Sequence, residues 1–384
     1  MIYRNKEVTP TKPKVVNPTE AKFDPTLFLK RYWPYLAGGA VLVLLVSFGL
    51  FKFAVSGRNN VQAENNLTAK TDLAATSTTE LVSRKLDGVL VKPEDAELLP
   101  WAVMVEMHPD ARPLSGISKA NLVFEAPVEG GITRLMVVYD ATTTVASVGP
   151  VRSARPYFVE WADALHAAYA HVGGSPEALN RIGGLLKFRN LDEFTSGKYF
   201  WRDSNRAAPH NTYISQKLVT SAVQAKSWRP EDFSSWTYDD STSTDRGDYN
   251  IVEIPYGGSY NVRWQYDKDR GVYVRYQGGR IFRDADGSAI EAKNILVMVT
   301  EQRVLDDVGR LYIRTAGSGK AELYRSGFKS EVRWSRSPGE NLRIETTDGR
   351  AVAINRGTTW IEVVTLAEQM PKASLASSAT STNR

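Results

Sequence analysis

Hydrophobic and polar residues are arranged differently in successive parts of the chain. Residues 32–51 are twenty uncharged residues with an apolar centre. At about 1.5 Å per residue, a helix of this length would cross the roughly 30 Å hydrocarbon core of a bilayer. Residues 56–83 are rich in Asn, Thr, Ser and Ala, with few large apolar side chains. Such a composition cannot bury a core, so we expect a disordered stalk there.

The first half of the folded part mixes strand and helix patterns. Short β-rich runs predict strands at 102–105, 121–125 and 134–139, with a weaker one at 145–151 and another at 168–172. Apolar residues at near-helical spacing follow Pro156 and predict a helix. A second helix is expected after Gly173-Gly174, with Ser175 as N-cap and Pro176 as its first residue. A third is expected after Asn211.

The second half changes to a two-residue alternation. Val262, Trp264 and Tyr266 are followed by a Gly-containing loop and a second alternating run, which predicts a β-hairpin. Further β-rich runs lie at 295–300, 311–314, 321–324, 331–334, 342–345 and 360–364. We therefore expect an antiparallel β-domain.

The net charge of +5 lies entirely at the N-terminus. Residues 1–55 contain eight Lys/Arg and three acidic residues, and the remaining chain is balanced at 40 basic and 40 acidic residues. A basic nucleic-acid-binding domain is disfavoured, because no net positive field remains to neutralise phosphates. The basic residues before the apolar run predict a cytoplasmic leader and extracytoplasmic domains after it. A cleaved signal peptide is the alternative interpretation.

The chain has no cysteine. This excludes disulfides, thiolate metal ligands and a cysteine nucleophile. No His/Asp/Glu spacing matches a zinc signature, although His108, Asp110, His171 and His210 could converge in space. We expect no metal and no cofactor.

The candidate chemistry lies in glycine-rich turns of the first half. Glu125 and Glu129 bracket the end of a predicted strand and could act as an acid and base pair. Each could instead be structural, capping a turn or pairing with Arg134. Arg152 and Arg155 precede a predicted helix N-terminus, where guanidinium groups and free backbone N–H groups favour an anion. Internal pairing with the same glutamates is the alternative.

Other candidates follow along the same half. His171, before a Gly-Gly turn, is a candidate acid or base, although a lone histidine is more often structural. Ser175 could contact a ligand, but an N-cap role is the simpler interpretation. The predicted ligand-binding set is completed by Arg134, Arg202, His210 and Asn211.

A string of motifs gives the chain a family resemblance. Its first half contains HPDARPLSG, FEAPVEGGITR, GPVRSARPYF, HVGGSP, FWRD and PHN, and its second half contains RWQYD, AKNILV, GSGKAELYRSG and GTTWIEVV. Over residues 84–366 the chain resembles the bacterial YerB-like lipoprotein family, whose activity is uncharacterised. The resemblance implies a two-domain extracytoplasmic protein. Family members commonly carry an N-terminal lipid-anchor cysteine, which this chain lacks.

The predicted fold class is α+β, with a single transmembrane helix, a mixed α/β N-terminal ectodomain and an antiparallel β-rich C-terminal domain. The predicted segments are a cytoplasmic leader (1–31), a membrane anchor (32–54), a stalk (55–83), the two domains (84–238 and 249–368) and a disordered tail (369–384).

Two functions are compatible with these features. The first is a single-pass protein of the bacterial cell membrane that binds an anionic or glycan ligand, such as a cell-wall polymer, or serves as a scaffold for envelope proteins. The second is an envelope hydrolase or lyase that uses Glu125 or Glu129 with His171. The hydrolase or lyase requires that these three side chains share one cleft. It also requires that the two glutamates are not both buried in salt bridges to arginines.

Overall fold

The computed structural model describes residues 80–239, 244–365 and 370–375, which belong to one compact unit, Ser77–Arg384. The predicted leader and membrane anchor lie outside the described residues, as does most of the predicted stalk. The described α-helices are α1 (Pro93–Ala96), α2 (Pro156–Ala164), α3 (Pro176–Gly184), α4 (Glu193–Ser196) and α5 (Gln216–Ala225).

Most of the remaining regular structure is β-strand. In the first half the strands are β1 (Val82–Ser83), β2 (Leu90–Val91), β3 (Trp101–Glu106), β4 (Leu122–Pro127), β5 (Thr133–Tyr139), β6 (Ala168–His171), β7 (Asn190–Asp192), β8 (Trp201–Arg202) and β9 (Thr212–Tyr213). In the second half they are β10 (Tyr249–Ile254), β11 (Val262–Asp267), β12 (Val272–Gln277), β13 (Arg280–Ile281), β14 (Glu291–Ala292), β15 (Asn294–Val299), β16 (Gln302–Val304), β17 (Leu311–Ile313), β18 (Gly317–Arg325), β19 (Phe328–Arg336), β20 (Arg343–Glu345), β21 (Thr359–Val364) and β22 (Lys372–Leu375).

A ten-stranded mixed sheet runs through both halves of the chain. Its strand order is β20-β19-β18-β15-β21-β4-β5-β3-β6-β7. The halves join where β21 pairs in parallel with β4, with Glu362 opposite Glu125 in the register. β6 also pairs in parallel with both β3 and β7. The carboxyl ends of these parallel strands therefore lie at one edge of the sheet.

The ten-stranded sheet is buried on both faces because its strands alternate between two cores. Val123 and Trp360 face a six-stranded sheet, ordered β13-β12-β11-β10-β22 with β14 beside β12. Phe124 and Ile361, one residue further along each strand, belong to the core that contains Trp161 of α2. β3, β4, β5 and β21 are consequently buried at every position.

The predicted fold class is wrong. None of the helices within the part of the chain that the structure describes is long and apolar enough to cross a membrane, and the proposed anchor at 32–54 lies outside that part. The second half is also not a separate antiparallel domain, because β15 pairs in parallel with β21 and β21 pairs in parallel with β4. Two-residue alternation identifies a strand but does not specify its neighbour or direction.

Individual elements show where the sequence patterns succeeded. The hairpin is confirmed, since Val262 to Asp267 pair antiparallel with Gln277 to Val272. The Ser175 N-cap is also confirmed, because its Oγ accepts a hydrogen bond from the Ala178 N–H. The weak strand at 145–151 makes only isolated bridges, including Val148 to Ile214.

One end of the folded part also differs from the prediction. The segment predicted as a disordered tail contains β22, which pairs with β10 and covers an edge of the six-stranded sheet. Polar sequence did not prevent this, because an edge strand is held by main-chain hydrogen bonds and needs little side-chain burial.

Candidate functional site

A group of arginines and glutamates lies at the carboxyl-end edge of the large sheet. We define the arginine cluster as Arg134, Arg152, Arg155, Glu106 and Glu129. Glu106 ends β3 and Arg134 lies at the start of the antiparallel β5, so both lie at the same edge. In open α/β sheets, ligands bind in the crevice outside the carboxyl ends of the strands.

The loop that carries two of these arginines is held by main-chain hydrogen bonds. The N–H of Arg152 donates to the Met104 carbonyl of β3, and the Arg152 carbonyl accepts from Val172 just after β6. The Ala154 N–H donates to the Gly173 carbonyl. A Cβ at Gly174 would lie 3.3 Å from atoms of Ala154, so a glycine there permits this close approach.

Two of the arginines are paired with carboxylates. Arg155 makes a two-pronged contact with Glu129, with Nε–Oε1 at 2.6 Å and Nη2–Oε2 at 2.7 Å. Arg152 Nε lies 2.5 Å from Glu106 Oε2. Burial alone would raise the pKa of Glu129 and of Glu106, but the neighbouring arginines outweigh it, and the pKa of each is lowered. Both glutamates therefore carry charge at neutral pH.

Arg134 differs because within the described ranges it is a buried cation without such a partner. The residue is 5% exposed, and Nη1 donates to the Ser153 carbonyl at 3.0 Å. No carboxylate among the described residues lies within ion-pair distance, and Nε has no hydrogen-bond partner there. Burial and the charge of Arg155 lower its pKa to about 10, although the more distant Glu106 carboxylate opposes this shift, so Arg134 remains protonated at neutral pH. The cluster thus holds three cations and two anions.

The surroundings of Arg134 add to this imbalance. Tyr169 is buried near Arg134 and Arg155, and its hydroxyl finds no hydrogen-bond partner within residues 80–239, 244–365 and 370–375. Arg155 is also the residue before the first turn of α2, where backbone N–H groups carry partial positive charge. A negatively charged group would satisfy donors that have no partner among the residues the structure describes.

The proposed acid and base residues do not form a shared cleft. Glu125 is fully buried and accepts hydrogen bonds from Thr133 and Arg275, whereas Glu129 is held by Arg155. His171 is also fully buried, with Nδ1 2.8 Å from the Gly173 carbonyl and Nε2 2.7 Å from Asn190 Oδ1. These contacts fit structural roles, and the condition set for the hydrolase or lyase is not met.

The remaining predicted ligand residues divide into two groups. Arg202 donates to Asn211 and to Glu193 on the exposed surface, so these residues support one another. His210 instead lies beside the arginine cluster, with Nδ1 3.9 Å from Glu106 Oε2, and its ring stacks on that of His108 at 5.3 Å. Burial, Arg152 and His108 lower the pKa of His210, and Glu106 opposes this shift.

The sequence patterns missed Glu106, which connects Arg152 to His210. A signal was present, because Glu106 is the acid directly after the apolar run predicted as a strand. The ends of buried strands are where polar groups reach a sheet edge. Its partner Arg152 was identified, but a pairing across 46 positions of chain has no local signature.

A second charged group was also missed, and it lies between the two sheets. We define the sealed triad as Glu125, Arg275 and Glu362, all with no exposed side-chain surface. Arg275 Nη1 lies 2.9 Å from Glu125 Oε2 and 3.3 Å from Glu362 Oε1. Its guanidinium packs over Trp360, 4.8 Å from the ring centroid. Burial and the neighbouring Glu125 carboxylate raise the pKa of Glu362 to about 8.

Comparisons with known proteins place this architecture in a described family. Residues 86–229 match the "Protein of unknown function (DUF3048) N-terminal domain", and residues 252–361 match the corresponding C-terminal domain. The chain is 31% identical to "Putative lipoprotein YerB" of Bacillus subtilis (strain 168) over 297 residues, which are 76% of this chain and 88% of that protein. The crystal structure of YerB from Bacillus subtilis is similar, with a TM-score of 0.70 and 29% identity over 76% of this chain and 99% of that chain. These descriptions assign no activity.

Proposed function

Since the chain belongs to the YerB family and contains both DUF3048 domains, we propose that it is an extracytoplasmic protein that binds an anionic polymer of the cell envelope. The lipoprotein name of its relative supports an extracytoplasmic location. These 384 residues contain no cysteine that could carry a lipid.

The observation that carries the proposal is the surplus cation of the arginine cluster. Arg134 is nearly buried without a carboxylate partner in the described part of the chain, a costly arrangement unless an anion completes it. Arg152, whose side chain is 24% exposed, and Arg155, which is 13% exposed, give the cluster limited access to solvent. Guanidinium groups favour phosphate and carboxylate groups through paired hydrogen bonds.

A sedimentation assay tests this proposal. The full chain is mixed with insoluble bacterial cell wall that retains its anionic polymers, and with the same wall after acid extraction of those polymers. We expect retention on the intact wall, weaker retention on the extracted wall, and a decrease with added salt, because charge pairing is screened. The variant Arg152→Gln with Arg155→Gln should lose retention.

The matched control is Arg343→Gln with Arg350→Gln. It removes the same charge from two exposed arginines that are also paired with carboxylates, and it should bind as the unmodified chain does. Equal retention on intact and extracted wall would overturn the anionic ligand in favour of a glycan. Retention that survives the Arg152 and Arg155 substitutions would overturn this site.

A further inference from the structure

Three potential metal ligands meet beside the arginine cluster. His108 lies two residues after the end of β3, Asp110 lies in the short 3-10 helix Pro109–Ala111, and His210 precedes β9. One ligand atom from each lies within 4.8 Å of the other two. The sequence predicted no metal, because the third ligand is a hundred residues away from the others. The fold brings it to the same edge.

Two of these ligand atoms are separated by nearly the distance expected between two ligands of one zinc ion. His108 Nδ1 lies 3.6 Å from Asp110 Oδ2. Two ligands of a tetrahedral zinc, each about 2.0–2.2 Å from the metal, are about 3.4 Å apart. His108 Nδ1 also accepts a hydrogen bond from the Asp110 N–H, which a metal ion would have to replace. At 3.3 Å this hydrogen bond is long and therefore weak. Small side-chain rotations would bring the three ligands together.

An orphaned nitrogen gives an independent indication. Nδ1 of His210 is buried and has no hydrogen-bond partner in the described segments, yet Glu106 Oε2 is 3.9 Å away. Glu106 is itself fixed by the N–H groups of Met107 and His108 and by Arg152. Metal-bound histidines almost always donate their other N–H to such a carboxylate or carbonyl. Coordination through Nε2 would leave the Nδ1 proton facing Glu106.

We propose that His108, Asp110 and His210 form a binding site for Zn²⁺, with Glu106 orienting His210. Two imidazoles and one carboxylate suit zinc and related transition metals, whereas Mg²⁺ and Ca²⁺ prefer oxygen ligands. Three protein ligands leave a coordination position for water or a ligand group. Asp110 is 76% exposed, so the site is open to solvent. The inference stands independently of the polymer, because it requires only the metal.

Isothermal titration calorimetry of the metal-stripped full chain with Zn²⁺ tests the site. We expect one Zn²⁺ per chain, and Co²⁺ should give the visible absorption bands of a nitrogen- and oxygen-ligated ion. Loss of even an outer partner commonly weakens metal binding about 10- to 100-fold. We therefore expect His108→Asn, Asp110→Asn and His210→Asn each to weaken Zn²⁺ binding at least about tenfold.

His166→Asn is the matched control. It makes the same substitution at a histidine outside the group, where the positive φ of 49° is one that Asn tolerates. It should bind Zn²⁺ normally. The exposed position of Asp110 keeps the test informative even if a histidine variant misfolds. Absence of Zn²⁺ binding, or binding unchanged in the Asp110 variant, would overturn the site without affecting the wall-binding assay.

Discussion

The arginine cluster and the sealed triad use the same two residue types in opposite ways. In the triad, one arginine lies between two carboxylates, with Trp264 and Tyr256 donating additional hydrogen bonds to Glu362. In the cluster, three arginines face two carboxylates, and Arg134 has no ion-pair partner among the residues described. The triad joins two sheets, and its charges and hydrogen bonds are satisfied by residues within the protein. The arginine cluster lies at a sheet edge with one more cation than anions, so it is available to an anionic ligand.

The largest expected effect is on the triad. Arg275→Met would leave the two buried glutamates side by side on neighbouring strands with no counter-charge for a carboxylate, so the free energy of unfolding should fall by about 3–5 kcal/mol. Urea denaturation measures this loss. Adding Glu125→Gln and Glu362→Gln to Arg275→Met should restore most of it, because no buried charge remains. A persistent deficit in the triple variant would mean that packing, not charge, explains the loss.

Stability should also depend on pH through the triad. The folded-state pKa of Glu362, about 8, is above the ordinary value near 4.3. The folded protein therefore holds a proton that the unfolded chain releases. The stabilisation that Glu362 contributes to the free energy of unfolding is complete below about pH 4.3. It is lost as pH rises through about 8, by at most about 1.4 kcal/mol per pH unit. Glu362→Gln should remove this slope in urea titrations, and identical slopes in the two proteins would contradict it.

Arg134→Met should have the opposite effect in the arginine cluster. It removes a buried cation but leaves the pairs of Arg152 with Glu106 and Arg155 with Glu129 intact. We expect the free energy of unfolding to stay constant or rise by about 1 kcal/mol, because an unpaired buried charge is costly. Retention on cell wall should be lost. If this variant is instead strongly destabilised, the arginine cluster has a structural role like that of the triad.

The smallest expected effect concerns Ser175 at the same edge. Its Oγ caps α3, so Ser175→Ala should lower the free energy of unfolding by about 1 kcal/mol. Wall retention should not change. Thermal denaturation and the sedimentation assay together separate the roles, since lost retention at unchanged stability would assign Ser175 to the ligand.

Local patterns predicted much of the fold. β3, β4, β5 and the hairpin of β11 and β12 were found because buried or alternating apolar residues mark strands directly. Tyr169 fits both the helical spacing after Pro156 and the strand predicted at 168–172, but the helix ends at Ala164 and Tyr169 lies on β6. A buried residue has the same apolar character in either structure, so spacing alone did not distinguish the two.

The candidate site was only partly predictable. The motifs around Glu129, Arg152 and Arg155 stand out because charged residues beside glycines are conspicuous in sequence. The partnership of Arg155 with Glu129 was an open alternative, and the structure confirms it. Glu125 looked equivalent to Glu129 in the same motif. The pleat of β4 instead turns Glu125 into the core between the sheets. There it contacts Arg275, which is 150 positions later in the sequence.

The sequence by itself determined the elements, the absence of thiol chemistry and the neutrality of the chain after residue 55, because these depend on composition and local spacing. Tertiary structure alone decided which charges meet. Parallel pairing of β21 with β4 placed Glu362 beside Glu125, and the loop before β9 brought His210 to His108. Burial, counter-charge and ligand geometry depend on distances in space. No pattern along the chain encodes distances between residues so far apart.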